Sequence, residues 1–298
     1  MERNIYEDFD IFSRALIVSG DDDPTYMVIP KIVNYYGFQP EFFVFMYVSF
    51  YNLESAIEVC KEMPTMRDWK SSKFIQLREN IKLFGHERRG TNRIVMNQIN
   101  ALEHIIRNFK LSKTEDNRTL RGKIEKYPFH GPWAAFKIAE IFEKSFDYSN
   151  LSIGDLGIDD RDVNRSDGPI GGLRWLYGRD NVYDDSYKKV WNNFGRNLSK
   201  AWGVDIGKTE TVLCKFHKLV SGNYYPKHDV DELYDLKNVL GDKAYRNIVV
   251  NTFPKLIEIK GVNKNLKGLY KREGIIMLEE LAKELPSADV YQILMDTN

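Results

Sequence analysis

The 298-residue chain is long enough to bury a core, and its 43% apolar and 13% aromatic content excludes a disordered chain. Its 43 Lys and Arg balance its 43 Asp and Glu, which argues against a generic polycationic nucleic-acid binder. Two cysteines, Cys60 and Cys214, supply neither a disulfide framework nor a zinc pattern.

The longest apolar run, Phe42 to Tyr51, is too short to span a bilayer. Met1-Glu2-Arg3-Asn4 is not a signal peptide, so a soluble intracellular protein is expected. Residues 1–40 read as an acidic lead-in. Seven acids stand in the first 25 residues against Arg3 and Arg14, and Asp21-Asp22-Asp23-Pro24 reads as a solvated turn rather than a metal site. A helix is expected from Gln39-Pro40-Glu41 to about Cys60, apolar on most sides and therefore buried. A second runs from about Met66 to Phe84 and stops at Gly85-His86-Glu87-Arg88-Arg89-Gly90. A third spans about Asn92 to Phe109, where Val95, Ile99, Leu102, Ile106 and Phe109 make one stripe. Residues 111–119 are polar and read as a loop.

The chain is organised around Lys126-Tyr127-Pro128-Phe129-His130-Gly131-Pro132-Trp133. Pro128, Gly131 and Pro132 force a turn, and from Trp133 the apolar spacing is helical as far as Ser145. Pro132 suits the first position of that helix. Its open backbone N–H groups make an anion site, so His130, Gly131 and Lys137 are candidates for a DNA phosphate. Residues 67–93 carry eight cations against three acids, and residues 107–144 nine against five, so the approach to this turn is basic. Residues 147–182 are rich in acids and glycine and read as a functional loop segment between lobes 41–145 and 183–298. The glycines of Gly168-Pro169-Ile170-Gly171-Gly172 suggest close backbone approaches. Helices are then expected at about Asp184–Trp202, Lys208–Val220, Val230–Leu240, Lys243–Thr252, Gly274–Lys283 and Ala288–Met295. With no strand run and no repeat, the fold class is mainly α.

Three clusters carry candidate chemistry. Arg88, Arg89 and Arg93 suit bidentate contact with phosphate or pyrophosphate, because a guanidinium fork matches two oxygens. Asp155, Asp159, Asp160 and Asp162 form an acidic group, in which any one equally suits a turn or a helix cap. In Asn223-Tyr224-Tyr225-Pro226-Lys227-His228-Asp229, the tyrosines, Lys227 and His228 suit the rim of a pocket that stacks on an extruded base. Asp229 with Glu232 reads as a capping box, which leaves Asp231 for another task. His104 and His217 read as structural. No P-loop, dinucleotide fingerprint or zinc helix is present.

Pro128, Gly131, Ala134 and Ala135 partly match the hairpin of helix-hairpin-helix DNA glycosylases, and Asp155 falls at the offset of their catalytic aspartate. Trp133 and Ala134 stand where bifunctional members carry a Schiff-base lysine, so lyase chemistry is not expected. Six segments in order carry a narrower resemblance: Tyr51-Asn-Leu-Glu-Ser-Ala56, Glu87-Arg-Arg-Gly-Thr-Asn92, Phe129-His-Gly-Pro-Trp-Ala-Ala-Phe-Lys137, Gly171-Gly-Leu-Arg-Trp-Leu-Tyr-Gly178, Glu210-Thr-Val-Leu-Cys-Lys-Phe-His217 and Gly222-Asn-Tyr-Tyr-Pro-Lys-His-Asp-Val-Asp231. Together they resemble the phage α-glutamyl/putrescinyl thymine pyrophosphorylases, the amino acid:DNA transferases.

That resemblance implies a glycosylase-like helical fold and a cytoplasmic enzyme of the infected bacterium. Such an enzyme acts on double-stranded DNA whose modified thymine is an activated 5-hydroxymethyluracil. The amine of an amino acid or polyamine displaces pyrophosphate; no cofactor and no metal-binding residue is assigned from the sequence. On this reading Arg88, Arg89, Arg93, Arg174, Lys227 and His228 hold the pyrophosphate. Asp155, Asp160 or Asp231 takes the proton of the attacking ammonium. Tyr224, Tyr225 and Trp175 wall the base, joined by Trp133 unless that ring is core. The alternatives are a monofunctional glycosylase and a non-catalytic DNA-binding protein.

Overall fold

The structure, a computed structural model, describes residues 4–20, 23–80, 102–112, 114–128, 130–158, 168–178, 186–221, 233–250 and 279–297. Every regular element among these is helical. Two compact units are interleaved along the chain. One comprises Met1–Pro24, Ile153–Asp231 and Phe253–Asn298, and the other Thr25–Ser152 and Glu232–Thr252.

The first unit begins with α1 (Ile5–Ser19), where the sequence reading has an irregular acidic lead-in. The acids are the reason for the difference. Asn4 caps the helix by accepting from the amides of Tyr6 (3.1 Å) and Glu7 (2.9 Å), and Glu7 and Asp8 fall in the first turn, where the helix dipole favours them. Asp10 is buried and pairs with Arg14 one turn on, at 2.6 Å. Its other oxygen accepts from Trp202 Nε1 (2.9 Å) and from the Ala288 amide (3.0 Å). Arg14 in turn donates to the Ala282 carbonyl and to that of Leu285 at 3.2 Å. One carboxylate thus ties α1 to two distant stretches of chain. The unit also holds α9 (Pro169–Tyr177), α10 (Ser186–Trp202), α11 (Ile206–Val220) and α13 (Val290–Thr297). Phe9 meets Phe216 edge-on at 5.0 Å and Trp202 at 5.8 Å, in a core that includes Phe12, Trp191 and Phe194.

The second unit holds α2 (Thr25–Tyr36), α3 (Pro40–Phe50), α4 (Leu53–Glu62), α5 (Ser71–Asn80), α6 (102–108), α7 (Asn117–Ile124) and α8 (Pro132–Phe146). It also holds α12 (Lys237–Tyr245), which runs into a π turn, Arg246–Val250. The apolar run from Phe42 to Phe50 is buried on every side, as its composition requires. It does not continue to Cys60. The chain leaves α3 through Tyr51 in the left-handed region (φ 49°, ψ 43°), and Asn52 caps α4 by accepting from the Ser55 amide at 2.9 Å. Asp116 likewise caps α7 inside the stretch read as a loop, accepting from the Thr119 amide at 2.8 Å. Helix α7 packs on α8, and the turn between them runs from Glu125 to Gly131.

Candidate functional site

The expected turn-to-helix stretch is present. Gly131 is the N-cap of α8 with no side-chain cap, and Pro132 takes the first helical position. Gly131 and Pro132 are half-buried and Trp133 is exposed, so the open end of α8 reaches the surface. The side chains assigned to a phosphate there do not. The His130 ring is buried, edge-on to Phe45 at 5.6 Å, with Nδ1 3.1 Å from the Pro128 carbonyl. Lys137 is buried too, and its Nζ lies 2.7 Å from Glu140 Oε2. A phosphate contact by Lys137 would require breaking that pair, and one by His130 would require the ring to leave the interior. Lys137 follows Trp133 by one turn on the same side of α8, and the two differ in depth: Trp133 stands in the first turn at the open end, whereas Lys137 lies where neighbouring chain covers the helix.

Glu140 is the electrostatic centre of this helix. Lys137 and Lys144 (3.2 Å) both reach it, and the Tyr26 hydroxyl donates to it at 2.7 Å. Burial raises its proton affinity, but the two ammonium groups and these hydrogen bonds outweigh burial and hold the carboxyl well below the usual carboxylate range.

In the other unit, α9 covers Gly171-Gly172-Leu173-Arg174-Trp175, so part of the segment read as a loop is helix. Its glycines do bring backbones together. A Cβ at Gly171 would overlap the His217 ring, and one at Gly172 would overlap the Leu213 carbonyl. Arg174 is buried on this helix and Trp175 is half-buried. Asp155 is half-buried and accepts from the Gly157 amide at 2.8 Å, which is the turn-stabilising role weighed for it.

Beneath α9, α11 carries a polar face that the sequence reading left as structure. Glu210 is buried and accepts from Cys214 Sγ at 3.0 Å. The Thr211 hydroxyl donates to Asp23 at 2.7 Å, which gives that acid a partner inside the unit. Glu210, Cys214 and His217 recur at spacings of four and three. That periodicity of polar residues in an otherwise apolar helix is the signal that would have exposed the face. A cavity of about 770 Å³ in the same unit lies between α1 and residues 287–291, and none of the candidate residues lines it.

Arg88, Arg89, Arg93, Asp160, Tyr224, Tyr225, Lys227, His228 and Asp231 lie outside the described residues. Among the described ones, no group of three His, Cys, Asp or Glu has an arrangement that could hold a metal ion. No described helix is long and apolar enough to cross a membrane.

A family model of the amino acid:DNA transferases matches residues 7–225, most of the 298-residue chain. The chain belongs to that family. It is therefore a transferase, and the family name gives its substrates as an amino acid and DNA. No curated protein and no solved structure matches the chain. The transferase match takes in α1 through α11, and with them Asp155, Arg174, the α8 turn and the Glu210 face. It ends before Lys227, His228 and Asp231, so the family relationship bears on the first group and not on those three.

Proposed function

We propose that this amino acid:DNA transferase replaces the pyrophosphate of a 5-pyrophosphoryloxymethyl-uracil in phage DNA with the amine of an amino acid or polyamine. A C–N bond forms at the exocyclic methylene carbon, the C–O bond to pyrophosphate breaks, and the ammonium proton passes to a base. The match over residues 7–225 is the observation that carries this reading.

The reaction asks three things of the chain. The target base must leave the duplex, which calls for aromatic walls, the roles of Trp175, Tyr224 and Tyr225. The leaving group is a polyanion, and Arg88, Arg89, Arg93 and Arg174 supply cations to neutralise it as it departs, with Lys227 and His228 beside the tyrosines. The incoming amine arrives protonated, and a carboxylate among Asp155, Asp160 and Asp231 orients it and takes the proton. Asp155 and Asp160 lie within the matched segment and Asp231 beyond it, which favours the first two.

The test is a nucleoside mass spectrum. Duplex DNA carrying the activated base is incubated with the enzyme and a panel of amino acids and polyamines, then digested. The expected result is a thymine nucleoside heavier by the added amine, with one pyrophosphate released per adduct. Free base with abasic sites would instead establish a glycosylase. Unaltered nucleosides across the panel would overturn the assignment of this substrate.

A further inference from the structure

Helix α8 is buried along almost its whole length, from Ala134 to Phe142, yet it opens on an indole that is 36% exposed. A tryptophan with about a third of its surface in water forgoes part of a large apolar burial, so one placed beside a turn asks for a reason. Trp133 does not stand alone. Its ring meets Tyr51 edge-on at 4.9 Å, and Tyr51 stacks on Tyr47 at 5.6 Å with 23° between the planes. The three rings form a series running from the buried Tyr47, through the half-buried Tyr51, to the exposed Trp133.

The middle ring is fixed at some cost. Tyr51 occupies the left-handed region, which is unfavourable for a residue with a side chain. The geometry is held from both sides, because the Tyr51 amide donates to the Tyr47 carbonyl at 2.5 Å and Asn52 caps α4. The tyrosine is thereby set against Trp133 before any ligand arrives.

The chain leading to this step is basic. Arg118, Arg121, Lys123 and Lys126 stand between residues 117 and 133 against Glu125 alone. Arg118, Lys123 and Lys126 are exposed, Lys123 being paired with Glu115, and the Arg121 guanidinium lies 5.4 Å over the Phe136 ring, one turn along α8 from Trp133. Cations beside an exposed aromatic step are the combination that grips unpaired nucleic acid: the charge follows the backbone and the rings take the faces of the bases.

We infer that Trp133, backed by Tyr51 and Tyr47, is a stacking platform for an unpaired base of the DNA substrate. The inference rests on DNA being a substrate, which the family membership gives, and deepens the proposed function by adding a base contact on the second unit. It does not depend on which amine is transferred.

The test is binding rather than turnover. A single-stranded oligonucleotide containing 2-aminopurine is titrated with the full chain, following probe fluorescence and affinity over a range of salt. Stacking predicts quenching on binding. Trp133→Ala should weaken binding by roughly fivefold to a hundredfold and remove most of the quenching. Trp133→Leu, which keeps an apolar contact on Tyr51, should do the same, whereas Trp133→Phe should retain most of both. The salt dependence should be unchanged in all three, because no phosphate contact is lost. Wild-type affinity and quenching in Trp133→Leu would overturn the inference, as would equal losses in Trp133→Leu and Trp133→Phe. A failed amine transfer with normal stacking would count against the proposed substrate and leave this platform standing.

Discussion

Gly172 shows how a single residue can decide the α9–α11 contact. A methyl group there would run into the Leu213 main-chain carbonyl, which cannot turn aside without moving α11. At Gly171 the obstacle is instead the His217 ring, a side chain that mutation can remove. The two neighbouring glycines should therefore behave differently. Gly172→Ala is expected to cost about 1–3 kcal/mol in chemical denaturation, as overpacking does, and no side-chain truncation on α11 should restore it. Gly171→Ala should cost a similar amount alone but recover most of it in combination with His217→Ala, a coupling that a double-mutant cycle reads directly. Additive losses at Gly171 and His217 would show that the two do not share the space. Arg174 follows these glycines on the same short helix, so the packing also sets where its guanidinium starts.

At the scale of the element, α8 makes a pH prediction. Glu140 has its carboxyl held far below its ordinary value by Lys137 and Lys144, despite burial. A carboxylate depressed in the folded state contributes stability that is fully present above its unfolded pKa, about 4.3, and is lost as pH falls through the folded value. Replacing it leaves Lys137 buried without that partner, so Glu140→Gln should cost about 3–5 kcal/mol at neutral pH. The difference between wild type and variant should shrink as pH is lowered below about 5, because the unfolded wild-type chain then takes up a proton that the folded carboxylate does not. Thermal melts of both proteins between pH 7 and pH 3 would check this, and a constant difference would show that folding does not shift the Glu140 carboxyl.

The same helix shows what could be read beforehand. Its bounds, its Gly-Pro start and its apolar face followed from residue type, because turn chemistry and helical periodicity are local. That Lys137 and Glu140 are buried as a pair, and that His130 turns inward onto Phe45, depends on partners brought by α2 and α3, and local pattern holds no record of them. The break at Tyr51 was missed because the apolar run hides a capping Asn52. Asp10 shows the converse. Its position among acids suggests solvent, yet Trp202 and Ala288, both far along the chain, bury it.

The whole molecule is built from two units, and the first of them is discontinuous, with its stretches separated by the second unit. Its closing stretch lies beyond the segment matched by the transferase family, yet it is built into the interior that α1 depends on. Arg14 donates to the carbonyls of Ala282 and Leu285, Asp10 accepts from the Ala288 amide, and Tyr291 packs on Tyr6 at 5.2 Å. Leu281, Ala282, Val290 and Leu294 are buried, and each branched side chain among them contributes about 1.5–3 kcal/mol by leaving water. Shortening the chain to residue 278 should therefore cost more than the typical net stability of a domain, about 5–15 kcal/mol, leaves to spare. The expected outcome is a first unit that no longer melts cooperatively, while the second unit keeps its own transition. Calorimetry resolves the two, with the Glu140→Gln shift marking which transition belongs to the second unit. Two intact transitions in the shortened chain would mean that the Asp10–Arg14 hub is held by Trp202 alone, and that the transferase segment folds without the residues that follow it.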